Sequence, residues 1–174
     1  MSTSKDDDLL LMLSKAAKSK INDLKNGANI ERTTGKAIEH LQNIALQDRL
    51  ILAKKFLVFA KTVSLNHSTQ NRLIIARAYY AFYHTARTLV YFSEGGDDFE
   101  KHSEVAKKIP SDFDNYADWQ NRLNTARLER NKADYDPYPK NEKHFKANAI
   151  STLQNAEEFN KLVLKYLRKR GCSI

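Results

Sequence analysis

Apolar residues recur every three or four positions along most of this chain, which is the spacing of one face of an α-helix. No segment shows the alternation of apolar and polar residues that marks a half-buried β-strand. The pattern therefore predicts an all-α protein. About six long helical segments and a short one are expected, at approximately 6–24, 33–45, 48–63, 69–93, 100–108, 112–130 and 141–170.

Residues that disfavour a helix interior mark the ends of these segments. Residues 26–27, Asn-Gly, are expected to stop the first helix, and residues 95–96, Gly-Gly, the fourth, since glycine commonly follows the last helical residue. Ser111 followed by Asp114 has the spacing of a capping box for the helix that carries Trp119. A turn is expected between the third and fourth helices, at Asn66-His67-Ser68.

The tyrosine-rich fourth segment carries polar residues on one side. Arg77, Tyr80, His84 and Arg87 follow one another at intervals of three, four and three residues, which places them on one helical stripe. That stripe is too polar for an ordinary core face. Small residues, which let helices approach closely, stand at 76, 78, 81 and 86.

A second polar segment spans residues 127–135. It contains Arg130, Asn131, Asp134 and Tyr135, and two prolines follow it at 137 and 139. Proline cannot continue a helix and favours extended geometry in the residue before it, so the helix is expected to end here. The two polar segments are expected to meet inside a helical bundle or to line a site.

These segments resemble the HEPN domain family (higher eukaryotes and prokaryotes nucleotide-binding). The resemblance rests on the sequence R-A-Y-Y-A-F-Y-H-T-A-R at 77–87, a single downstream histidine, His102, and R-x-x-A-D-Y-D at 130–136, in that order. It covers roughly residues 47–170 and is greatest with the small stand-alone prokaryotic members, which are often encoded beside a minimal nucleotidyltransferase. It implies an up-and-down four-helix bundle with a short extra helix, a homodimer, and RNA cleavage in toxin–antitoxin or phage-defence systems.

The chain departs from the family at one position. Nuclease-competent members carry a histidine four to six residues after the motif arginine, whereas Tyr135 stands in this place here. Arg130 and Asn131 match the arginine half of the motif. The missing imidazole could come from His84 or His102, or each of these histidines could be structural.

Two function classes therefore stay open. In the first the protein is a ribonuclease in which the substrate 2′-hydroxyl attacks, Arg130 stabilises the charge that develops on the phosphorus, and Asn131 orients the helix end or the RNA. In the second it is a non-catalytic module that partners or regulates a nucleotidyltransferase or another nucleic-acid enzyme. In related systems such an enzyme adds nucleotides to a tyrosine near the site, and Tyr135 and Tyr138 are the candidates here.

The charged candidates also have structural interpretations. Arg77 could bind phosphate, as could Arg87, or Arg77 could be a buried arginine paired with an acid such as Asp134. Asp134 lies four residues after Arg130, on the same helical face, and so could neutralise Arg130 instead. Tyr135 is a hydroxyl donor or a packing residue at the helix end.

Charge and composition limit the kinds of partner and cofactor that are expected. The formal net charge is +8, and residues 47–91 hold seven Lys and Arg against a single acid, so a basic face that attracts RNA phosphates is expected. No stretch approaches the roughly eighteen uncharged apolar residues that span a bilayer, and the acidic N-terminus does not resemble a signal peptide, so a cytoplasmic protein without membrane contact is expected. A single cysteine, Cys172, excludes an internal disulfide, and the five scattered histidines indicate no metal site and no cofactor.

The matched region leaves an N-terminal extension outside it, so the chain is divided into an extension of residues 1–46 and a bundle of residues 47–174. The extension carries several leucines that would be costly to leave in water, and it should pack on its own bundle, on a second copy or on a partner. Homodimerisation is expected through the helices that carry residues 79–87 and 127–135.

Overall fold

The computed structural model describes residues 5–67, 69–96, 101–172 and 174, and every regular element among them is helical. The all-α prediction is confirmed. The elements are α1 (Lys5–Ser14), α2 (Lys18–Thr34), α3 (Ile38–Asn66), α4 (Asn71–Glu94), α5 (His102–Lys107), α6 (Tyr116–Tyr135), a 3₁₀ turn (Glu142–Phe145) and α7 (Lys146–Lys169). Ser68 of the predicted interhelical turn and residue 100, the predicted start of the short helix, lie outside the described residues.

The chain divides into two compact units, residues 1–44 and residues 45–174. In the first unit α2 buries none of its side chains, and five consecutive apolar residues of α1, 9–13, are exposed. The predicted domains, 1–46 and 47–174, stay a prediction about how the chain is organised in function.

Three predicted helix boundaries in the N-terminal half were wrong. The expected helix over 6–24 is two helices, and α2 continues through the half-buried Gly27 because a glycine inside a helix costs only about 1 kcal/mol. Gly35 ends α2 instead: it has φ +66°, a left-handed conformation that glycine adopts without strain, and its N–H donates to Glu31 O at 2.8 Å. Residue 33, the expected start of the second helical segment, therefore lies in the last turn of α2. One helix, α3, covers the rest of that segment and the next expected one, 48–63.

Helix α4 is the centre of the second unit and contacts α5, α6, α7 and the 3₁₀ turn. Its neighbours cover it on most sides, so residues such as Tyr79 and Phe82 are almost inaccessible to water. Phe82 packs on Phe159 of α7 at a ring distance of 4.8 Å and on Trp119 of α6 at 6.0 Å. Gly95, at φ +72°, ends the helix where the sequence predicted.

The capping box predicted for α6 was wrong. The helix begins at Tyr116, after Asn115 at φ +56°, and no side chain caps its first turn. The preceding residues form a turn in which the Phe113 N–H donates to Pro110 O at 3.0 Å. Burial of Phe113 and a hydrogen bond from Tyr166 Oη to Asp112 Oδ1 (2.9 Å) hold that turn against α7, so the helix starts later than the local sequence suggests.

Arg72 of α4 fixes the other end of α6. Its guanidinium donates to the carbonyl oxygens of Ala133 (2.9 Å) and Asp136 (2.7 Å) and to two further carbonyls, of Lys132 and Pro139. It also lies 4.1 Å above the Phe145 ring. The last carbonyls of a helix lack partners within the helix and attract cations. The Arg72 side chain therefore caps the C-terminal end of α6 and positions the loop beyond it.

Candidate functional site

The predicted polar stripe of α4 lies on one face, and Arg77, Tyr80, His84 and Arg87 are all half-buried. Between them the helix is fully buried. Phe56 of α3 stacks on Tyr80 at a ring distance of 5.4 Å and on His84 at 5.3 Å, with an interplanar angle of 11° for the second pair. Helix α3 therefore covers the middle of the stripe with an aromatic ring.

His102, at the start of α5, lies against two tyrosines of α4. Its Nδ1 is 2.8 Å from the Tyr79 hydroxyl, and its ring stacks on that of Tyr83 at 4.1 Å and 11°. Tyr79 is almost completely buried, so this hydrogen bond satisfies a hydroxyl that has no access to water. The contact leaves Nε2 as the ring nitrogen that does not face Tyr79.

Arg130 of α6 is held by its neighbours on every side of the guanidinium. One Nη donates to the Tyr80 hydroxyl and the other to Asn131 Oδ1 at 3.2 Å. Its Nε lies 2.8 Å from Asp134 Oδ2, an ion pair without the alignment of a hydrogen bond. The guanidinium is 5.1 Å from the centre of the Tyr80 ring and 5.3 Å from that of Tyr135. Only 14% of the side chain is exposed, so little of Arg130 is accessible to solvent.

The two histidines near this arginine are uncharged at neutral pH. Burial first, and then the charges of Arg87 and Arg49 and the neighbouring His102, lower the pKa of His84 to about 4. Burial also lowers the pKa of His102, as do the charges of Arg130, Arg87 and Arg127. For Tyr79, burial raises the pKa of the hydroxyl, which stays protonated. The positive charges of three arginines therefore act on a neutral imidazole, that of His102.

The guanidinium of Arg130 remains charged in this environment. Burial acts to lower its pKa, but the nearby Tyr80, Asp134 and Tyr135 oxygens outweigh burial and raise it. We refer to Arg87, Arg127, Arg130 and His102 as the cationic cluster. Arg127 had no predicted role, although its position three residues before Arg130 on the same helical face was a signal for one.

The structure decides which arginine pairs with Asp134, and it gives the exposure of the two candidate tyrosines. Arg77 does not pair with Asp134: it lies 5.4 Å from the centre of the Phe59 ring, and its buried Nε has no hydrogen-bond partner. Asp134 pairs with Arg130, the second partner that the spacing allowed. Tyr135, beside the cluster, is 69% exposed. Tyr138, on the loop that follows α6, is 68% exposed.

Neither a metal-binding group nor a membrane-spanning helix is found among the described residues. No group of three His, Cys, Asp or Glu side chains in this part of the chain could hold a metal ion. None of its helices combines the length and apolar character needed to cross a membrane. Cys172 is a free thiol, half-buried, and burial raises its pKa.

Comparisons with protein-family models, with curated proteins and with solved structures found no match to this chain. Its function is therefore argued from the cationic cluster and its surroundings.

Proposed function

We propose that this protein is an RNA-directed HEPN-type protein of a toxin–antitoxin or phage-defence system, which binds an RNA phosphate at the cationic cluster. The observation that carries the proposal is the position of Arg130 beside His102: its guanidinium lies 6.0 Å from the ring of Tyr79, whose hydroxyl contacts His102. The charges of Arg130, Arg87 and Arg127 all lower the pKa of this histidine. The positive charges of these arginines favour an anion beside the neutral ring, and arginine suits phosphate through its planar fork. The resemblance noted in the sequence supports the same substrate class.

His102 takes the place of the absent motif histidine in this proposal. Its pKa is lowered mainly by burial and next by neighbouring arginines. A bound phosphate would offset the arginine charges and raise the pKa towards the ordinary range. The neutral imidazole would accept the proton of the attacking 2′-hydroxyl as its oxygen bonds to phosphorus. The bond from phosphorus to the 5′-oxygen would break, and the departing oxygen would take a proton from water. The products would be a cyclic phosphate and a free 5′-hydroxyl.

The exposed aromatic ring beside the cluster suits a base next to that phosphate. Tyr135 is the most exposed tyrosine of the second unit and lies under the Arg130 guanidinium. Stacking on an aromatic ring contributes about 1–3 kcal/mol per base with little sequence preference. Single-stranded RNA is therefore the expected form of the substrate.

The experiment compares Arg130→Ala and Arg130→Lys with Arg122→Ala. Arg122 is a matched control because it lies on the same helix and also pairs at 2.8 Å with an aspartate four residues away, Asp118. RNA affinity is measured by fluorescence anisotropy with a labelled single-stranded RNA at two salt concentrations, and cleavage on a gel. Both Arg130 variants should lose at least tenfold in affinity, since lysine lacks the planar fork, and Arg122→Ala should bind like the original protein.

Stability measurements separate loss of the site from loss of the fold. Arg130→Ala strands Asp134, but 29% of the Asp134 side chain is exposed, so water can solvate the carboxylate. We expect a loss of about 1–2 kcal/mol, rather than the ~3–5 kcal/mol of a fully buried charge left unpaired. A folded Arg130→Ala variant that keeps its RNA affinity would refute the proposal. His102→Gln should abolish cleavage while RNA binding persists.

A second function, the partner of a nucleotidyltransferase, is favoured by the exposure of Tyr135 and Tyr138. Their hydroxyls are open to an enzyme that transfers nucleotides, and the ion pair of Arg130 with Asp134 partly neutralises the cluster. Mass spectrometry after co-expression with a minimal nucleotidyltransferase should find nucleotide adducts on Tyr135 or Tyr138. Tyr116, which is 38% exposed on the same helix as Tyr135, is the control. Unmodified Tyr135 and Tyr138 would contradict this function.

A further inference from the structure

Arg77 of α4 is a half-buried cation without an anionic partner. Its Nε is buried and makes no hydrogen bond, and no carboxylate among the described residues pairs with its guanidinium. By contrast, Arg72 near the start of the same helix pairs with Glu142, and Arg130 of α6 pairs with Asp134. A charge withdrawn from water is normally paired. The guanidinium of Arg77 can therefore bind an anion that the described residues do not supply.

A hollow of about 300 Å³ adjoins Arg77. Its other walls come from α3, and the centre of the Phe59 ring lies 5.4 Å from the guanidinium. The lining has two cations, Arg77 and Lys55, and is otherwise apolar, with Leu52, Phe56 and Phe59. Among the described residues that line it, none is an acid, a hydroxyl or an amide. The hollow therefore fits an anion that has an apolar group beside its charge.

The hollow continues into a second one along α3. This second hollow, of about 400 Å³, shares Lys55 and Phe59 with the first and adds Ile51, Lys54, Val58 and Thr62. Its lysines are interspersed with apolar residues, and residues 49–66 contain no acid. From Ile51 to Thr62 it follows roughly 16 Å of helix, or about three turns. The two hollows therefore combine positive charge with apolar surface over the length of a short helix.

Charge selects the occupant of this surface. A second copy of α3 would place lysine against lysine, whether the two helices ran parallel or antiparallel. An RNA strand would neutralise the lysines but would leave the exposed aliphatic side chains of Ile51 and Val58 uncovered. A flat membrane surface would reach the exposed lysines, whereas the half-buried Arg77 needs a carboxylate on a side chain that enters the hollow. A helix that carries both acids and apolar residues satisfies all of these groups.

We propose that the two hollows, which we call the Arg77 groove, bind an acidic amphipathic helix of a partner protein. A carboxylate of that helix accepts hydrogen bonds from the planar fork of Arg77. Its apolar residues cover Val58 and Phe59, which are 52% and 47% exposed. The proposal does not depend on RNA binding, since no residue of the cationic cluster lines the groove.

The probe is a fluorescein-labelled helical peptide of about twenty residues, long enough to span the groove. It has leucine and glutamate at helical spacing on one face and alanine elsewhere. Fluorescence anisotropy measures its affinity for the full-length protein at two salt concentrations. The same peptide with glutamine in place of each glutamate is the neutral control. The acidic peptide should bind at least about tenfold more tightly than the neutral one, and the difference should decrease at high salt.

Substitutions in the protein locate the bound peptide. Arg77→Gln and Lys55→Glu should each weaken binding of the acidic peptide at least about tenfold, whereas Arg122→Gln should not. Arg122 is the matched control because it is also half-buried and lies over an aromatic ring, 4.7 Å from the centre of Trp119. Lys55 is exposed, so its replacement leaves the bundle core intact. Circular dichroism confirms that each variant is folded.

Several results would overturn the proposal. Equal affinity for the acidic and neutral peptides would show that the groove does not recognise carboxylates. Unchanged affinity in folded Arg77→Gln and Lys55→Glu variants would assign the peptide to another surface. Sedimentation with anionic phospholipid vesicles that is lost in Lys55→Glu, without binding of the acidic peptide, would assign the groove to a membrane. Binding of a labelled single-stranded RNA with the same dependence would assign it to nucleic acid.

Discussion

Replacing Arg72 by alanine should destabilise the bundle far more than the removal of an ordinary surface charge. The guanidinium donates to four carbonyl oxygens at the end of α6 and the loop beyond it. It also pairs with Glu142, at 3.6 Å, and covers the Phe145 ring. Removing it takes away the side-chain donors at the end of α6 and leaves two hydrogen bonds to Glu142, from the Asn71 side chain and from the backbone N–H of residue 72, between α4 and the segment that follows α6.

The magnitude follows from the exposure of these contacts. A hydrogen bond from a charged group contributes about 1.5–3 kcal/mol when buried. Most of the carbonyls bound by Arg72 can reach water after its removal, and only the Ala133 contact is partly buried. A smaller value of roughly 0.5–1 kcal/mol is therefore appropriate for the others. One Nη group donates to three of these carbonyls, so the contributions do not add fully. With the lost cation–π contact, the expected decrease in the free energy of unfolding is therefore about 3–4 kcal/mol, near the lower limit of the sum.

Urea denaturation followed by circular dichroism measures this change. Arg72→Lys should lose roughly 2–3 kcal/mol, since an ammonium has three donors but not the planar arrangement that reaches four carbonyls. Lys61→Ala is the control: Lys61 pairs with Glu157 at 3.1 Å and is 44% exposed, so its removal should cost under about 1 kcal/mol. A loss below ~1 kcal/mol for Arg72→Ala would refute the inference that this side chain closes α6.

Two further predictions concern the packing of Phe159 in the core and the protonation of His84. Phe159→Ala should lose about 3–5 kcal/mol in urea denaturation, because Phe159 is completely buried between Phe82 and Trp119; a loss under ~1.5 kcal/mol would contradict the packing described. His84 has a pKa lowered to about 4 by burial first and then by Arg87 and Arg49, so the unfolded chain binds the proton more readily. The His84 contribution to stability is therefore complete above the ordinary histidine pKa and is lost as the pH falls from about 6.5 towards 4. After allowance for solvent screening the loss should be roughly 1–2 kcal/mol. His84→Gln should flatten the pH profile of the unfolding free energy by this amount between pH 7 and 4, and an unchanged profile would show that His84 titrates normally.

Much of the bundle could be predicted from local pattern. The helical repeat located every long helix of the second unit, and the stop at Gly95 followed from the freedom of glycine at positive φ. The predictions that failed were those that depended on weak local preferences. Gly27 lies inside α2, and Ser111 and Asp114 cap nothing, because energies near 1 kcal/mol are overridden by packing elsewhere in the chain.

The candidate site could be predicted in part. The stripe of Arg77, Tyr80, His84 and Arg87 is a one-helix feature, so its common face was readable from spacing alone. The partner of Asp134 could not be predicted from spacing, because Arg77 and Arg130 were both possible. Only the distance between the side chains decides between them. His102 approaches Tyr79 across twenty-three residues of chain, a contact that no local pattern specifies.

The helical character of the chain, the polar stripe and the concentration of positive charge follow from the order of residues alone, because each depends on residues close together along the backbone. Three other results required the packed molecule: Arg72 closes a helix sixty residues away, burial and three arginines keep His102 uncharged, and the apolar side of α3 faces outward. Those results depend on which helices pack together and how closely. Packing of this kind is set by the combined burial of the whole core, and so it cannot be read from any single segment.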